Sequence, residues 1–459
     1  MSEAQDVWKP TRKHLINLVL FLVSIFSVSA LLPHTFNNNP AETLGGFILV
    51  SSCYIVLFLF LHHFRPEIFE VSRKTFFIIL TIFIFTALTS FMIVYGQISL
   101  LIIPFAIIPI VIHTFYDSRL ALFILIISLM LCAFIVPEPF EFVFLNFISG
   151  LIAIFSLTNI YRKGKIFFSS LAVTITSAVI YFGITIMKTG SIEGIEWAVY
   201  TYFILNGLLL LLSYPLIFLF EKKFYFLSNN SLLELSDTNQ PLLRRFSSEA
   251  PGSFQHARQV AILAEDAARE VGANLLLARA GAMYHDIGKI VNSEYFIENQ
   301  NNSSSPHTEL DPMDSSKLII NHVKEGILLA RKYKLPVQII DFIKTHHGTT
   351  KAYYFYKKYL ESSNRSEESG TAFDYQGPKP FTRELAIVMM ADAVEAASRT
   401  LEKHTENSID QLVDQILYIQ EQDNQFSDAP LTFKDISDIK RVLKKGLANV
   451  YHSRISYPS

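Results

Sequence analysis

The feature that most constrains this chain of 459 residues is the near absence of charge from its first half. Residues 1–228 hold 24 of the 80 Lys, Arg, Asp and Glu residues, and the remainder of the chain holds the other 56. The charge-poor half also carries most of the 39 Phe, in runs with no amphipathic period. A water-soluble globule needs a polar face on each helix, and these runs have none. The pattern therefore predicts a membrane half followed by a soluble half.

Eight apolar stretches stand out, at about 15–33, 45–62, 75–94, 98–116, 120–136, 141–160, 166–187 and 197–220. Each approaches the roughly 17–25 residues needed to cross the hydrocarbon core. Arg12, Lys13, Arg65, Arg73, Lys74, Arg119, Arg162, Lys163, Lys165, Lys222 and Lys223 flank one set of ends, whereas the alternate connections hold Lys188 as their one base. That asymmetry predicts both termini, and the soluble half, on the cytoplasmic side. The spans are nearly free of ionisable groups, His113 excepted, and show no inverted pair of Gly/Pro-broken helices. Both observations disfavour a transporter.

Bulk properties exclude other classes. A net charge of −2 without a basic block gives no sign of a DNA or RNA partner. Cys53 and Cys132 both lie in apolar runs, so they make neither a disulfide framework nor a zinc-ligand spacing. No cleavable signal sequence is expected, because the run from Leu15 to Leu32 is longer than an ordinary signal core and lacks a small-residue cleavage site.

Apolar residues in the soluble half recur at i, i+3 and i+4 over 254–271, 275–288, 315–334, 336–346, 381–403, 409–421 and 433–448, predicting an all-α domain. Residues 299–306 (NQNNSSSP) and 361–370 are polar breaks, and His307 beside the first is expected to be solvated. The division expected is a tail over 1–14, a polytopic helical membrane region over 15–220, a linker over 221–252 and a domain over 253–459.

The chemistry lies in His256, His285, Asp286, His322, His346, His347 and Asp392. His285-Asp286 stands where an apolar helix ends, followed at once by Gly288-Lys289. Adjacent residues on one helix point about 100° apart, so both can face one site only where the helix stops. His346-His347 before Gly348 repeats the arrangement. Asp392 falls in the small-residue run MMADA, where a buried acid needs a partner. Imidazole and carboxylate together suit two divalent ions, iron or manganese, and the lack of a nearby cysteine argues against structural zinc. Two ions with a shared aspartate suit phosphoryl-group hydrolysis, and Lys289 is placed for phosphate charge.

The order H…HD…D of His256, His285-Asp286 and Asp392 resembles the HD-domain phosphohydrolases. Longer matches carry the likeness further: EAPGSFQH ending at His256, YHDIGK over Tyr284–Lys289, YFIENQ from Tyr295, LIINHVKEG around His322, DFIKTHHGT over Asp341–Thr349, YQGPKP from Tyr375 and ADAVEAASR ending at Arg399. Together they resemble the bacterial seven-transmembrane HD family, whose members hydrolyse cyclic di-AMP to linear pApA. The resemblance implies an enzyme, a cyclic-dinucleotide phosphodiesterase in the bacterial cytoplasmic membrane with its HD domain in the cytoplasm. By the same resemblance His256, His285, Asp286 and Asp392 hold one ion, and His322, His346 and His347 hold the other with Asp286 bridging. Lys289 matches the family's phosphate-proximal lysine, which implies a catalytic or substrate-binding part. Typical members place a large extracellular domain after the first span; here Pro33 to Leu44, about a dozen residues, stands in that place.

A cyclic di-GMP enzyme of the HD type is disfavoured, because Gly-Thr-Thr-Lys follows the histidine pair and no Gly-Tyr-Pro triplet is present. The competing class is a membrane receptor whose HD domain binds a nucleotide without turnover, against which the complete ligand set speaks. The sequence leaves a homodimer open.

Overall fold

A computed structural model describes residues 12–31, 40–69, 71–96, 99–157, 164–193, 195–300, 305–361 and 367–452. The tail 1–11, the basic pair Arg162-Lys163 and residues 301–304 of the Asn/Ser-rich loop lie outside the described residues. The chain divides into two compact units, Met1–Asn229 and Asn230–Ser459. Among the described residues there is no β-strand, only an isolated bridge between Lys351 and Asp374.

The first unit comprises α1 (Arg12–Ser29), α2 (Pro40–Phe64), α3 (Pro66–Phe69), α4 (Ser72–Tyr95), α5 (Ile107–Phe115), α6 (Ser118–Ala133), α7 (Pro139–Leu157), α8 (Lys165–Thr189), α9 (Tyr200–Leu210) and α10 (Ser213–Phe224). Among the described residues, five stretches are long and apolar enough to cross a membrane: α2, α4, α7, α8 and Trp197–Phe224. Leu15–Ser29, Leu100–Phe115 and Ser118–Ala133 are shorter apolar helices. Each of the eight predicted stretches therefore falls on helix, although 98–116 is broken between a 3₁₀ turn at Leu100–Ile102 and α5. Where no hydrophobic effect drives helices together, small residues allow close approach and hydroxyls bridge them. Ser149 and Ser177 lie 2.8 Å apart between α7 and α8, Ser156 donates to Ser169 at 2.7 Å, and Ser170 donates to the Gly207 carbonyl at 2.5 Å. Asp117 caps α6 by accepting from the Leu120 amide at 2.8 Å and also pairs with Arg65.

The second unit runs through α11 (Asn229–Leu235), α12 (Pro241–Glu249), α13 (Pro251–Glu270), α14 (Leu275–Tyr284), α15 (Pro312–Lys332), α16 (Val337–Thr345), α17 (Tyr353–Glu361), α18 (Arg383–Ser398), α19 (Glu406–Gln422) and α20 (Phe433–His452). Helix α13 buries Phe254, Ala257, Val260, Ala261 and Ala264, a stripe at the helical period. Helix α18 is its central strut, buried without interruption from Leu385 to Asp392 and started by Thr382, whose hydroxyl accepts from the Leu385 amide. Within the stretch expected as a linker, α12 buries Leu242, Leu243 and Phe246, and the Leu235 carbonyl of α11 accepts from the Tyr284 hydroxyl at 2.9 Å.

Helix α14 ends at Tyr284, four residues short of the expected stop. His285 still has helical backbone, but Asp286 leaves it and Ile287–Ile290 forms a 3₁₀ turn. Helix α15 approaches this turn closely: a Cβ at Gly288 would lie 1.8 Å from the His322 carbonyl oxygen, so only glycine fits.

Candidate metal centre

Three helix interiors and two helix ends converge on Asp286. His256 comes from α13, His322 from α15 and Asp392 from α18, while His285, His346 and His347 follow the last residues of α14 and α16. His256, His285, Asp286, His322, His346 and Asp392 are buried, and His347 is partly so.

The histidines are aimed by their own backbone. His285 Nδ1 donates to the Ala282 carbonyl at 2.6 Å, His322 Nδ1 to that of Ile319 at 2.6 Å, and His346 Nδ1 to that of Ile343 at 3.0 Å. A carbonyl only accepts, so each Nδ1 carries the proton and each Nε2 presents a lone pair to the centre. Asp286 Oδ1 lies 3.4 Å from His322 Nε2 and 3.6 Å from His346 Nε2; its Oδ2 lies 3.3 Å from His285 Nε2 and 3.7 Å from His256 Nε2. Asp392 Oδ1 is 2.8 Å from His256 Nε2 and 3.4 Å from His285 Nε2, and its Oδ2 is 3.9 Å from His347 Nδ1.

Two sets of four thus form, His256, His285, Asp286 and Asp392, and Asp286, His322, His346 and His347, with the donor atoms of each set within 4.8 Å of one another. Asp286 belongs to both. Cations fit what these residues leave unmet. His285 Nε2 and Asp286 Oδ1 are buried without a hydrogen-bond partner. The Nε2 atoms of His322 and His346 face each other at 3.1 Å with both ring protons already committed to carbonyls. Lone pairs so placed repel unless a cation accepts them.

Electrostatics agree. Burial pushes against ionisation of Asp286, but the Lys289 ammonium beside it holds its carboxyl well below the usual carboxylate range. Burial first, with His346 and Lys289 adding to it, takes His322 down to about 3, so its imidazole is neutral, as a ligand must be.

Lys289 is not a free cation. Its Nζ pairs with Asp286 Oδ2 at 2.7 Å and Glu298 Oε1 at 2.9 Å and sits 5.0 Å from the centre of the Phe296 ring. Glu298 also accepts from Ser253 Oγ at 2.7 Å, and Asn299 Oδ1 accepts from the Gly252 and Ser253 amides at the start of α13. A Cβ at Gly252 would fall 1.8 Å from the Glu298 carbonyl oxygen, so glycine is what lets this strap close over α13.

Sequence reasoning passed over Glu298 and a second carboxylate, Glu395. The Glu395 side chain receives His256 Nδ1 and is gripped by Arg399 at 2.7 and 3.1 Å. The signal was present: an acid three residues after Asp392 shares its helix face. His307, expected to be solvated, is half-buried, with Nε2 donating to the Tyr295 carbonyl at 2.8 Å and its ring against Phe355.

Comparison with known proteins matches residues 40–228 to the family described as 7TM receptor with intracellular HD hydrolase, and residues 253–397 to the HD domain. A cyclic-di-AMP phosphodiesterase, PgpH of Bacillus subtilis, is 34% identical over 444 residues, covering 92% of this chain and 61% of its own length. PgpH of Listeria monocytogenes is 40% identical over 240 residues, 52% of this chain and 33% of that protein. The chain therefore spans less than two thirds of the curated relatives it matches. The solved HD domain of L. monocytogenes PgpH with cyclic-di-AMP is 40% identical and covers 48% of this chain and 100% of that one, with a TM-score of 0.45. The membrane unit and the HD domain are thus each matched, in order along one chain, to the two parts of the family described as 7TM receptor with intracellular HD hydrolase.

Proposed function

We propose that this membrane protein is a metal-dependent phosphodiesterase that hydrolyses cyclic di-AMP to linear pApA and so lowers the level of that second messenger. The observation that carries the reading is the pair of His/Asp sets sharing Asp286, with orphaned donor atoms turned inward. The relatives' named activity supports the choice of substrate.

In this reading His256, His285, Asp286 and Asp392 hold one divalent ion and Asp286, His322, His346 and His347 the other, iron or manganese by donor type. Such ions supply Lewis acidity and neutralise charge at the phosphate. The protein's own part is positioning. Lys289 and Glu298 fix the bridging carboxylate of Asp286, and Glu395 with Arg399 fixes the ring of His256. Lys289 is then a positioning residue whose charge also reaches a bound phosphate. Hydrolysis adds one water across one phosphodiester, leaving a 5′-phosphate and a free 3′-hydroxyl, so the product is the open dinucleotide.

The proposal extends to topology. The second unit lies in the cytoplasm with both termini, and the helical region spans the bacterial inner membrane, as the basic flanks predict. The test offers the full chain, in lipid nanodiscs with Mn²⁺, cyclic di-AMP, cyclic di-GMP and pApA separately, with products separated by chromatography. Conversion of cyclic di-AMP to pApA, preferred over the other two, is expected. Metal-loaded protein that turned over none of the three would refute it.

A further inference from the structure

The membrane unit holds a cavity of about 250 Å³ that the hydrolase chemistry does not use. Its walls come from one end of the helix bundle: the Ser99–Leu101 segment after α4, the turn between α6 and α7, the first turns of α7 and the last turns of α8. Leu101, Val136, Phe142, Leu145 and Ile184 make the lining mainly apolar. The wall at Leu101 is a 3₁₀ turn that gives way to extended backbone at Ile103, and Asn206 Nδ2 secures it by donating to the Leu101 and Ile103 carbonyls at 2.9 Å each. Irregular backbone in an apolar region persists where side chains satisfy it and where it borders a cavity.

A few polar groups converge on this apolar space. Asn146 is 8% exposed; its Nδ2 donates to the Phe142 carbonyl at 2.9 Å, and its Oδ1 has no hydrogen-bond partner among the described residues. Tyr181 and the carboxylates of Glu138 and Glu141 complete the lining. Lys188 pairs with Glu141 and lies 3.7 Å from Glu138, so two carboxylates share one ammonium. The connections at the same ends of the helices carry Glu42, Glu193 and Glu196 as well, with Lys188 their one base. A chiefly apolar pocket with convergent polar groups is the form of a small-molecule site. An unfilled carbonyl acceptor beside excess carboxylate selects a donor with positive charge.

We propose that this cavity binds a small amphipathic amine, its ammonium between Glu141, Glu138 and Asn146 Oδ1 and its apolar body among Leu101, Phe142 and Leu145. At about 30 Å³ per water the space holds roughly eight waters, which limits the body to about a single ring. The site is separate from the metal centre, and its binding readout does not depend on hydrolysis.

The test uses the full chain in nanodiscs and radiolabelled phenethylamine, an ammonium on one aromatic ring, with 2-phenylethanol and phenylacetate as competitors of the same body but different charge. Saturable binding at one site per chain is expected, displaced by unlabelled phenethylamine but by neither competitor. Glu141→Gln should weaken it by about tenfold or more, and Leu145→Trp, which fills the cavity, should remove it. Should Glu141→Gln fail to fold, Glu138→Gln at the exposed rim supplies the charge test, with weaker binding expected. Unchanged hydrolysis by the second unit and an unchanged unfolding midpoint report that a variant is folded. Non-saturable uptake, equal displacement by 2-phenylethanol, or full binding by folded Leu145→Trp would each overturn the proposal, the first by showing partition into lipid alone.

Discussion

Replacing Glu395 with glutamine changes two atoms' worth of chemistry and tests how the centre is held. One oxygen of Glu395 faces His256 Nδ1, and the other is gripped by Arg399 Nη2 at 2.7 Å. Both partners are donors, so a carboxylate satisfies both. Glutamine has one acceptor and one NH₂, so whichever way it turns, its NH₂ meets a donor, either buried His256 Nδ1 or the partly exposed Arg399. Glu395 is 5% exposed and His256 4%, so water cannot make up the loss. A buried hydrogen bond to a charged partner is worth about 1.5–3 kcal/mol, and at about 1.4 kcal/mol per tenfold that is roughly 10–100-fold in affinity. The same range is found when outer-shell partners of metal-bound histidines are changed. The assay is titration of Mn²⁺ into chelator-stripped full chain, read by calorimetry and by hydrolysis of cyclic di-AMP. Glu395→Gln should bind the weaker-held ion about 10–100-fold less tightly, while hydrolysis at saturating Mn²⁺ recovers most of its rate. Glu406→Gln, on the exposed start of α19, should match the wild type. A folded Glu395→Gln protein with wild-type metal affinity would refute the idea that Glu395 orients His256.

Three further outcomes are expected. Asp286→Asn removes the carboxylate common to both donor sets, so it should lower hydrolysis by more than the roughly 100-fold typical of outer-shell changes and should lower bound metal in elemental analysis. Chelation should abolish hydrolysis, with Mn²⁺ or Fe²⁺ restoring it better than Mg²⁺, and full turnover after verified stripping would contradict the metal assignment. Burial opposes ionisation of Glu298, yet Lys289 beside it takes its carboxyl down to about 2 from 4.5. The folded value is depressed, so this group's stabilisation is present above about pH 4.5 and is lost as pH falls toward 2. Urea unfolding at pH 6 and pH 3 should therefore show a smaller acid loss for Glu298→Gln than for the wild type.

Much of this was legible in sequence because it depends on local pattern. Apolar runs placed helices at all eight expected stretches, since hydropathy over a span is additive and needs no partner. The break before Leu100 was visible as Tyr95-Gly96-Gln97, and Gly96 does end α4 with φ 58°. His285, Asp286, His346 and His347 could be named because a helix end that carries a His-Asp or His-His pair is readable from the apolar period and the glycine after it, and Asp392 because an acid in a small-residue apolar run needs a partner.

What the chain alone did not reveal depends on neighbours distant in sequence. Asp286 stands three residues before Lys289, but nothing near the lysine says that Glu298 takes the same ammonium, which makes it a positioning group as well as a charge for phosphate. Glu395 reaches His256 across 139 positions, a meeting made by the packing of α18 on α13. The need for glycine at position 288 is likewise decided from outside, by the His322 carbonyl of α15 lying against it. Sequence determined which residues carry charge, donors and apolar surface and where helices run. Tertiary structure decided which donors share one space, because the energy of a buried polar group is set by what faces it rather than by what adjoins it in the chain.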